Sequence, residues 1–138
     1  MYNDYFSETP TYGASFFRHR FRMNRALFIR IMQAVEQHDD YFVQKRDNIG
    51  HLGLSCLQKV TAAYQMIAYG VPADFMDQYV RAAESTNIKS LRRFVKAVVE
   101  VFGDDYLRSP NEQDMARLLA IGESRGFSGM LGSIDRMH

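Results

Sequence analysis

The chain has 138 residues, 46% of them hydrophobic, and a formal net charge of +1. That is enough apolar material for one core and not comfortably for two, and the near-neutral balance excludes a uniformly basic polyelectrolyte. Any nucleic-acid role must come from local clustering of charge. The single cysteine, Cys56, excludes an internal disulfide and a multi-cysteine zinc site; it reads as a small buried apolar residue in a reducing compartment. No apolar run approaches the ~18 residues of a membrane span, and Met1 to Tyr5 shows no signal-peptide pattern. An intracellular protein that makes no use of a membrane is expected.

In chain order the pattern is helical until the end. Residues 1–22 begin with Tyr, Ser, Thr and Gly broken by Pro10 and Gly13, and read as a flexible arm. Asn24 is placed to cap a helix through about Gln37, with Leu27, Phe28, Ile31, Met32 and Val35 on one stripe. Asp39 to Leu54 is a connection. Ser55 starts a second helix, with Leu57, Val60, Tyr64 and Ile67 sharing a face, and Gly70 with Pro72 stops it. Asp74 opens a short helix to about Ala83, and Glu84-Ser85-Thr86-Asn87 supplies a turn and a cap. A fourth helix then runs from about Asn87 to Phe102, with Ile88, Leu91, Val95, Val98, Val99 and Phe102 as its apolar face. Helix, Gly-Val-Pro break, short helix, polar turn and long helix is the order of a helix-turn-helix unit. Ser109-Pro110-Asn111-Glu112 predicts the start of a fifth helix, with Ser109 as its cap, ending near Gly122. After Gly126 the texture changes to turn and then to the apolar Met130 to Ile134, which reads as a strand.

Two clusters of cations carry the candidate chemistry. Lys89, Arg92, Arg93 and Lys96 recur at helical spacing on the fourth helix, with no carboxylate between Lys89 and Val99. Such a band can neutralise phosphates or present Arg to base edges, although charged outer faces are also how amphipathic helices meet water. Arg18, His19, Arg20, Arg22, Arg25 and Arg30 are interleaved with Phe16, Phe17 and Phe21. Aromatics among arginines can track a nucleic-acid strand; the reading preferred is that Phe17 and Phe21 pack beneath the first helix.

Enzymatic constellations are otherwise missing from the sequence. His19, His38, His51 and His138 have no ligand spacing. Asp39-Asp40 and Asp104-Asp105 are adjacent pairs at helix ends, and no phosphate loop or nucleophile elbow occurs. Asp135 stands apart, a carboxylate near the end of a buried strand, which needs a cation, a metal or donors nearby.

Several short blocks resemble, in order, the plant PIF/Harbinger-type transposases and the nucleases derived from them. They are Asp39-Asp40-Tyr41-Phe42-Val43-Gln44-Lys45, Gly53 to Ala63 with Ala68-Tyr69-Gly70 and Ala73-Asp74, Glu84-Ser85-Thr86, Arg93-Phe94, and Phe102-Gly103. Tyr106-Leu107-Arg108, Arg117-Leu118-Leu119, Gly126-Phe127 and Gly129 to Met137 continue the series. The resemblance implies a helix-turn-helix-like region followed by an RNase H-like DDE domain, in which three acidic residues hold Mg²⁺ or Mn²⁺ for phosphodiester cleavage. Only Asp135 matches a position of that triad, as first catalytic residue and metal ligand. The family's usual Cys after that Asp is Arg136 here, and its usual Pro after the Phe is Ser128. The resemblance also implies a plant nuclear protein that works with a Myb/SANT-like DNA-binding partner.

The resulting expectation is a mainly α fold of about five helices containing a helix-turn-helix-like unit. An arm (1–22), a helical domain (23–125) and the first strand of a truncated RNase H-like domain (126–138) make up the chain. Its expected function is DNA or partner binding without nuclease activity and with no cofactor as it stands. Two alternatives remain at this point: a truncated rendering of an intact metal-dependent DDE endonuclease, and a degenerate transposon remnant without selected function.

Overall fold

The computed structural model describes residues 2–7, 9–130 and 132. Those residues are mainly helical, as expected, with five helices of eight residues or more and two single turns. Among the described residues there is no sheet; one isolated antiparallel bridge joins Arg46 and Leu52 across the loop after the third helix. The expected strand Met130 to Ile134 lies, apart from Met130 and Gly132, outside the described residues. The chain divides into two units, Met1–Gly103 and Asp104–His138, each described by itself.

In the first unit, α1 (Tyr2–Tyr5) and α2 (Ala14–Phe21) occupy the stretch expected as an arm. The sequence reading missed α2 because Gly13 caps it without a side-chain hydrogen bond. What holds it is packing: Phe17 and Phe21 are 0% exposed, and Tyr5 is buried with them. Their rings stack 4.4 Å apart and meet Phe28 edge-on, contacts that add to the apolar area removed from water.

Helix α3 (Arg25–His38) starts where the cap residue predicts, with Asn24 Oδ1 accepting from the Leu27 N–H at 2.8 Å. Helix α4 (Cys56–Tyr69) likewise begins at Ser55, in a reciprocal capping box with Gln58, and ends at Gly70 in the left-handed conformation, φ 61°. Both ends follow from local chemistry. Its packing face is less predictable: Val60 and Ala63 are buried and Tyr64 packs against the core, but Ile67 is 54% exposed. The expectation that Ile67 shares the inner face is corrected.

The segment after Pro72 differs most from expectation. Instead of a helix from Asp74 to Ala83, there is a turn at Ala73 to Met76 and one helical turn, α5 (Asp77–Val80), packed against α4 through Ala62, Met76, Val80 and Ala82. Helix α6 (Glu84–Tyr106) then starts three residues earlier than expected and runs for 23 residues. Asn87, expected as its cap, is inside the helix and 1% exposed. Its amide donates to the carbonyls of Ala73 and Ala82, both at 3.0 Å, so one side chain satisfies two backbone acceptors of the connection.

The inward face of α6 is Asn87, Ser90, Phe94 and Ala97, flanked by partly buried Leu91 and Val98. Val95 and Val99, expected inside, are 46% and 50% exposed. The reason is steric as much as hydrophobic: Ser90 and Ala97 are small and let the helix approach closely. Phe94 then fills the space, its ring 6.5 Å from that of Tyr64 in an edge-on pair.

In the second unit, α7 (Glu112–Ser124) is capped by Asn111 in a capping box with Asp114, two residues later than the expected Ser109. Arg108 donates to the same carboxylate at 2.6 Å. The helix closes with Gly126 left-handed, φ 85°, while the Phe127 N–H returns to the Gly122 carbonyl at 2.8 Å and the Gly126 N–H to Glu123 at 2.9 Å. That double bond pattern is a Schellman ending. A Cβ on Gly122 would stand 2.8 Å from the Met130 carbonyl oxygen, so the turn after α7 requires glycine there.

Candidate nucleic-acid interface

The four cations predicted on one helix do lie on α6, but they are not equivalent. Arg93 is committed within the protein: its Nε and one terminal nitrogen donate to the two carboxylate oxygens of Asp39, each at 2.7 Å. This fork geometry is the strong form of the pair. The guanidinium, assisted by the Tyr41 N–H, holds the Asp39 carboxyl below its ordinary range against the opposing effect of burial. Lys96 lies 3.6 Å from Glu100, whose other oxygen is 2.8 Å from His38 Nε2. The hydrogen bond from His38 is the main cause that lowers the Glu100 carboxyl.

These pairs line a cleft of about 480 Å³ between the end of α3 and α6, formed by His38, Asp39, Asp40, Arg93, Lys96, Ala97 and Glu100. Three carboxylates face two permanent cations and one imidazole there, so the cleft itself does not attract anions. The carboxylate-free run in the sequence is therefore not carboxylate-free in space. Asp39 comes from a segment more than fifty residues away, beyond the reach of helical spacing.

Lys89 and Arg92 are exposed, and among the described residues neither has a carboxylate within ion-pair distance. Lys89 nonetheless has an aromatic neighbour. Its Nζ lies 5.3 Å from the Tyr41 ring centre, in company with Lys59 at 4.9 Å and Arg93 at 5.1 Å. Three cations around one ring exploit its negative faces. Tyr41 is in turn fixed by its hydroxyl against Ser90 Oγ at 2.9 Å, and its carbonyl accepts from Lys59 Nζ at 2.6 Å. Burial pushes the Lys59 ammonium downward. Tyr41 and Lys59 were not singled out as site residues from the sequence; each lay only within a block that carries the family resemblance, Asp39 to Lys45 and Gly53 to Ala63.

Four of the six residues of the second basic cluster lie over aromatic rings, while Arg18 and His19 are exposed. Arg20 lies over Tyr69 and Tyr79, Arg22 over Tyr69, Arg25 over Phe17 and Arg30 over Phe102, all with 5.1–5.8 Å to the ring centres. The Tyr69 hydroxyl donates to the backbone of Arg20 at 2.8 Å. Phe17 and Phe21 are core, as preferred from the sequence. Phe16 is 48% exposed, stacked on Tyr12 at 4.5 Å.

Asp135 lies outside the described residues. Among the described residues no three His, Cys, Asp or Glu side chains gather as metal ligands do, and no helix is long and apolar enough to cross a membrane. Cys56 is buried, its thiol pushed up to about 12 by desolvation, which makes it a packing group rather than a nucleophile.

Comparison with known families places two matches at opposite ends of the chain. Residues 104–138 match a family described as plant transposon protein, and residues 1–36 match a domain of unknown function, DUF8418. The first match supports a transposon-derived origin. No curated protein and no solved structure matches.

Proposed function

We propose that this chain is a Harbinger-like, transposon-derived module that binds duplex DNA through the outer band of α6, with Lys89 and Arg92 as the phosphate contacts. The observation that carries the reading is the cation cluster around Tyr41. Lys59, Lys89 and Arg93 converge there with Asp39 as their one paired carboxylate, and Arg92 stands exposed on the same helix. Arg93 serves as a positioning group in this reading, because a phosphate would have to displace Asp39 from a bidentate pair.

The short α5, the three residues Arg81 to Ala83 and the long α6 act as a helix-turn-helix-like unit, with Asn87 fixing the turn. Such a role belongs in the nucleus. Of the acidic triad that the family resemblance implies, only Asp135 has a counterpart in these 138 residues. Two-metal cleavage needs several carboxylates converging on ions ~4 Å apart; the activity proposed here is duplex binding.

Fluorescence anisotropy on a short duplex between about 50 and 200 mM salt tests this, since the slope of log affinity against log salt counts phosphate contacts at about 0.9 each. The Lys89→Gln, Arg92→Gln double variant should flatten the slope by about two units. Binding with an unaltered slope in that variant, or no duplex binding by the native chain, refutes the assignment.

A further inference from the structure

On one flank of α2 the arginines between residues 18 and 30 meet exposed aromatic rings. Phe16 and Arg20, four residues apart, share that flank. The Phe16 ring lies flat on Tyr12, with centres 4.5 Å apart and 16° between the planes, and both side chains are exposed. Arg20 lies 5.1 Å from the ring centre of Tyr79 and 5.7 Å from that of Tyr69, and Arg22 stands 5.4 Å from Tyr69. Tyr69 and Tyr79 are exposed as well, so rings and guanidiniums line one surface. The seating of α2 does not require Phe16, because Phe17 and Phe21 already fill the core beneath the helix.

We infer that this surface binds an unpaired nucleic-acid strand, with Tyr12 and Phe16 stacking on bases and Arg20 and Arg22 meeting phosphates. A guanidinium over a ring uses its flat face there, while its N–H groups lie in the guanidinium plane and stay open at the edge. Among the described residues no carboxylate is within ion-pair distance of either arginine, in contrast to Arg93. Exposed rings beside cations without a paired carboxylate are the two components of a single-strand site, the cations tracking the backbone and the rings taking the bases. A duplex keeps its base faces inside its own stack, and an acidic peptide has no base to lay on Phe16, so the rings select an unpaired strand. Duplex binding by α6 is not a premise of this inference.

The test is fluorescence anisotropy of the full chain with a labelled deoxythymidine oligomer of about twelve nucleotides, a length that single-strand sites cover. The native chain should bind it. Phe16→Ala, at an exposed position, should weaken binding about fivefold or more, the loss of one base–ring stack. Phe16→Tyr should bind as the native chain does, and Phe16→Leu, apolar but without a ring, should behave as Phe16→Ala. Arg22→Gln should flatten the salt slope by about 0.7, one single-strand phosphate contact, whereas Arg18→Gln, the same loss of charge on the other flank of α2, should leave the slope unchanged. Circular dichroism should show the same helical spectrum throughout.

The Lys89→Gln, Arg92→Gln double variant separates the two surfaces: it should keep its affinity for the oligomer whether or not the native chain binds duplex. A uridine oligomer of the same length, run beside the first, shows which of the two strand chemistries is preferred, and binding of either with these variant effects supports the inference. A native chain that binds neither oligomer overturns it, as does loss of oligomer binding in the double variant. Equal affinity for Phe16→Leu and the native chain overturns the stacking. Oligoglutamate that displaces the oligomer at equal charge, with Phe16→Ala indifferent, would make this an acidic-peptide surface instead.

Discussion

Replacing Phe94 by Ala is the sharpest test of how α6 is seated. Phe94 is 4% exposed, belongs to the main core cluster and meets the Tyr64 ring edge-on. Truncating a buried phenylalanine costs about 3–5 kcal/mol, the lost transfer energy plus the cavity left behind. Ser90 and Ala97, one turn to either side, offer little side chain to collapse into that space, which argues for the upper part of the range. Against a typical domain stability of about 5–15 kcal/mol, the variant would keep a minority of molecules folded at modest urea. The neighbouring Val95→Ala, at a half-exposed position, should stay within about 0.5 kcal/mol of the native chain. Urea unfolding followed by circular dichroism, at a protein concentration where the chain is monomeric, reads both as shifts of midpoint at constant slope. If Val95→Ala costs as much as Phe94→Ala, then α6 is rotated from the orientation described and the cation band must be redrawn with it.

Two further outcomes follow from the polar contacts. Asn87→Ala should destabilise by roughly 1–3 kcal/mol, because the buried carbonyls of Ala73 and Ala82 lose their shared donor. Amide exchange in the connection between α4 and α6 should accelerate more than in α3, and a uniform change would sink the idea that Asn87 holds this turn. Acid stability should depend on the Asp39–Arg93 pair. The Asp39 carboxyl is lowered from its ordinary 3.8 in the folded protein, so its contribution is complete above that value and is lost as pH falls through the depressed one. Asp39→Asn should remove part of the loss of urea midpoint below about pH 4; an acid limb of the same steepness in the variant would show that the other lowered carboxyls, Asp47, Glu100 and Asp114, carry it.

What the sequence determined by itself is the local grammar of the fold. The starts of α3 and α4 and the stop at Gly70 were legible because a cap acts on a donor three residues away, within the reach of one side chain. The mainly helical class and the burial of Phe17 and Phe21 were legible for the same kind of reason, namely spacing and bulk. Even α7 was found, its cap displaced by two residues because Asn111 competes successfully with Ser109 for the free N–H groups.

The seating of α6 was decided only by tertiary structure. The large apolar residues Ile88, Leu91, Phe94, Val95, Val98 and Val99 spread over an arc of about 140°, and periodicity alone does not say which edge of that arc turns inward. Close approach selects it, through small residues at Ser90 and Ala97 and a buried Asn87 whose amide is worth burying only where two carbonyls await it. The same holds for the cations: Asp39 and Tyr41 reach Arg93 and Lys89 across some fifty residues. A chain read along its length shows four like charges, whereas the folded molecule neutralises two and aims the others outward, because electrostatic energy depends on distance in space.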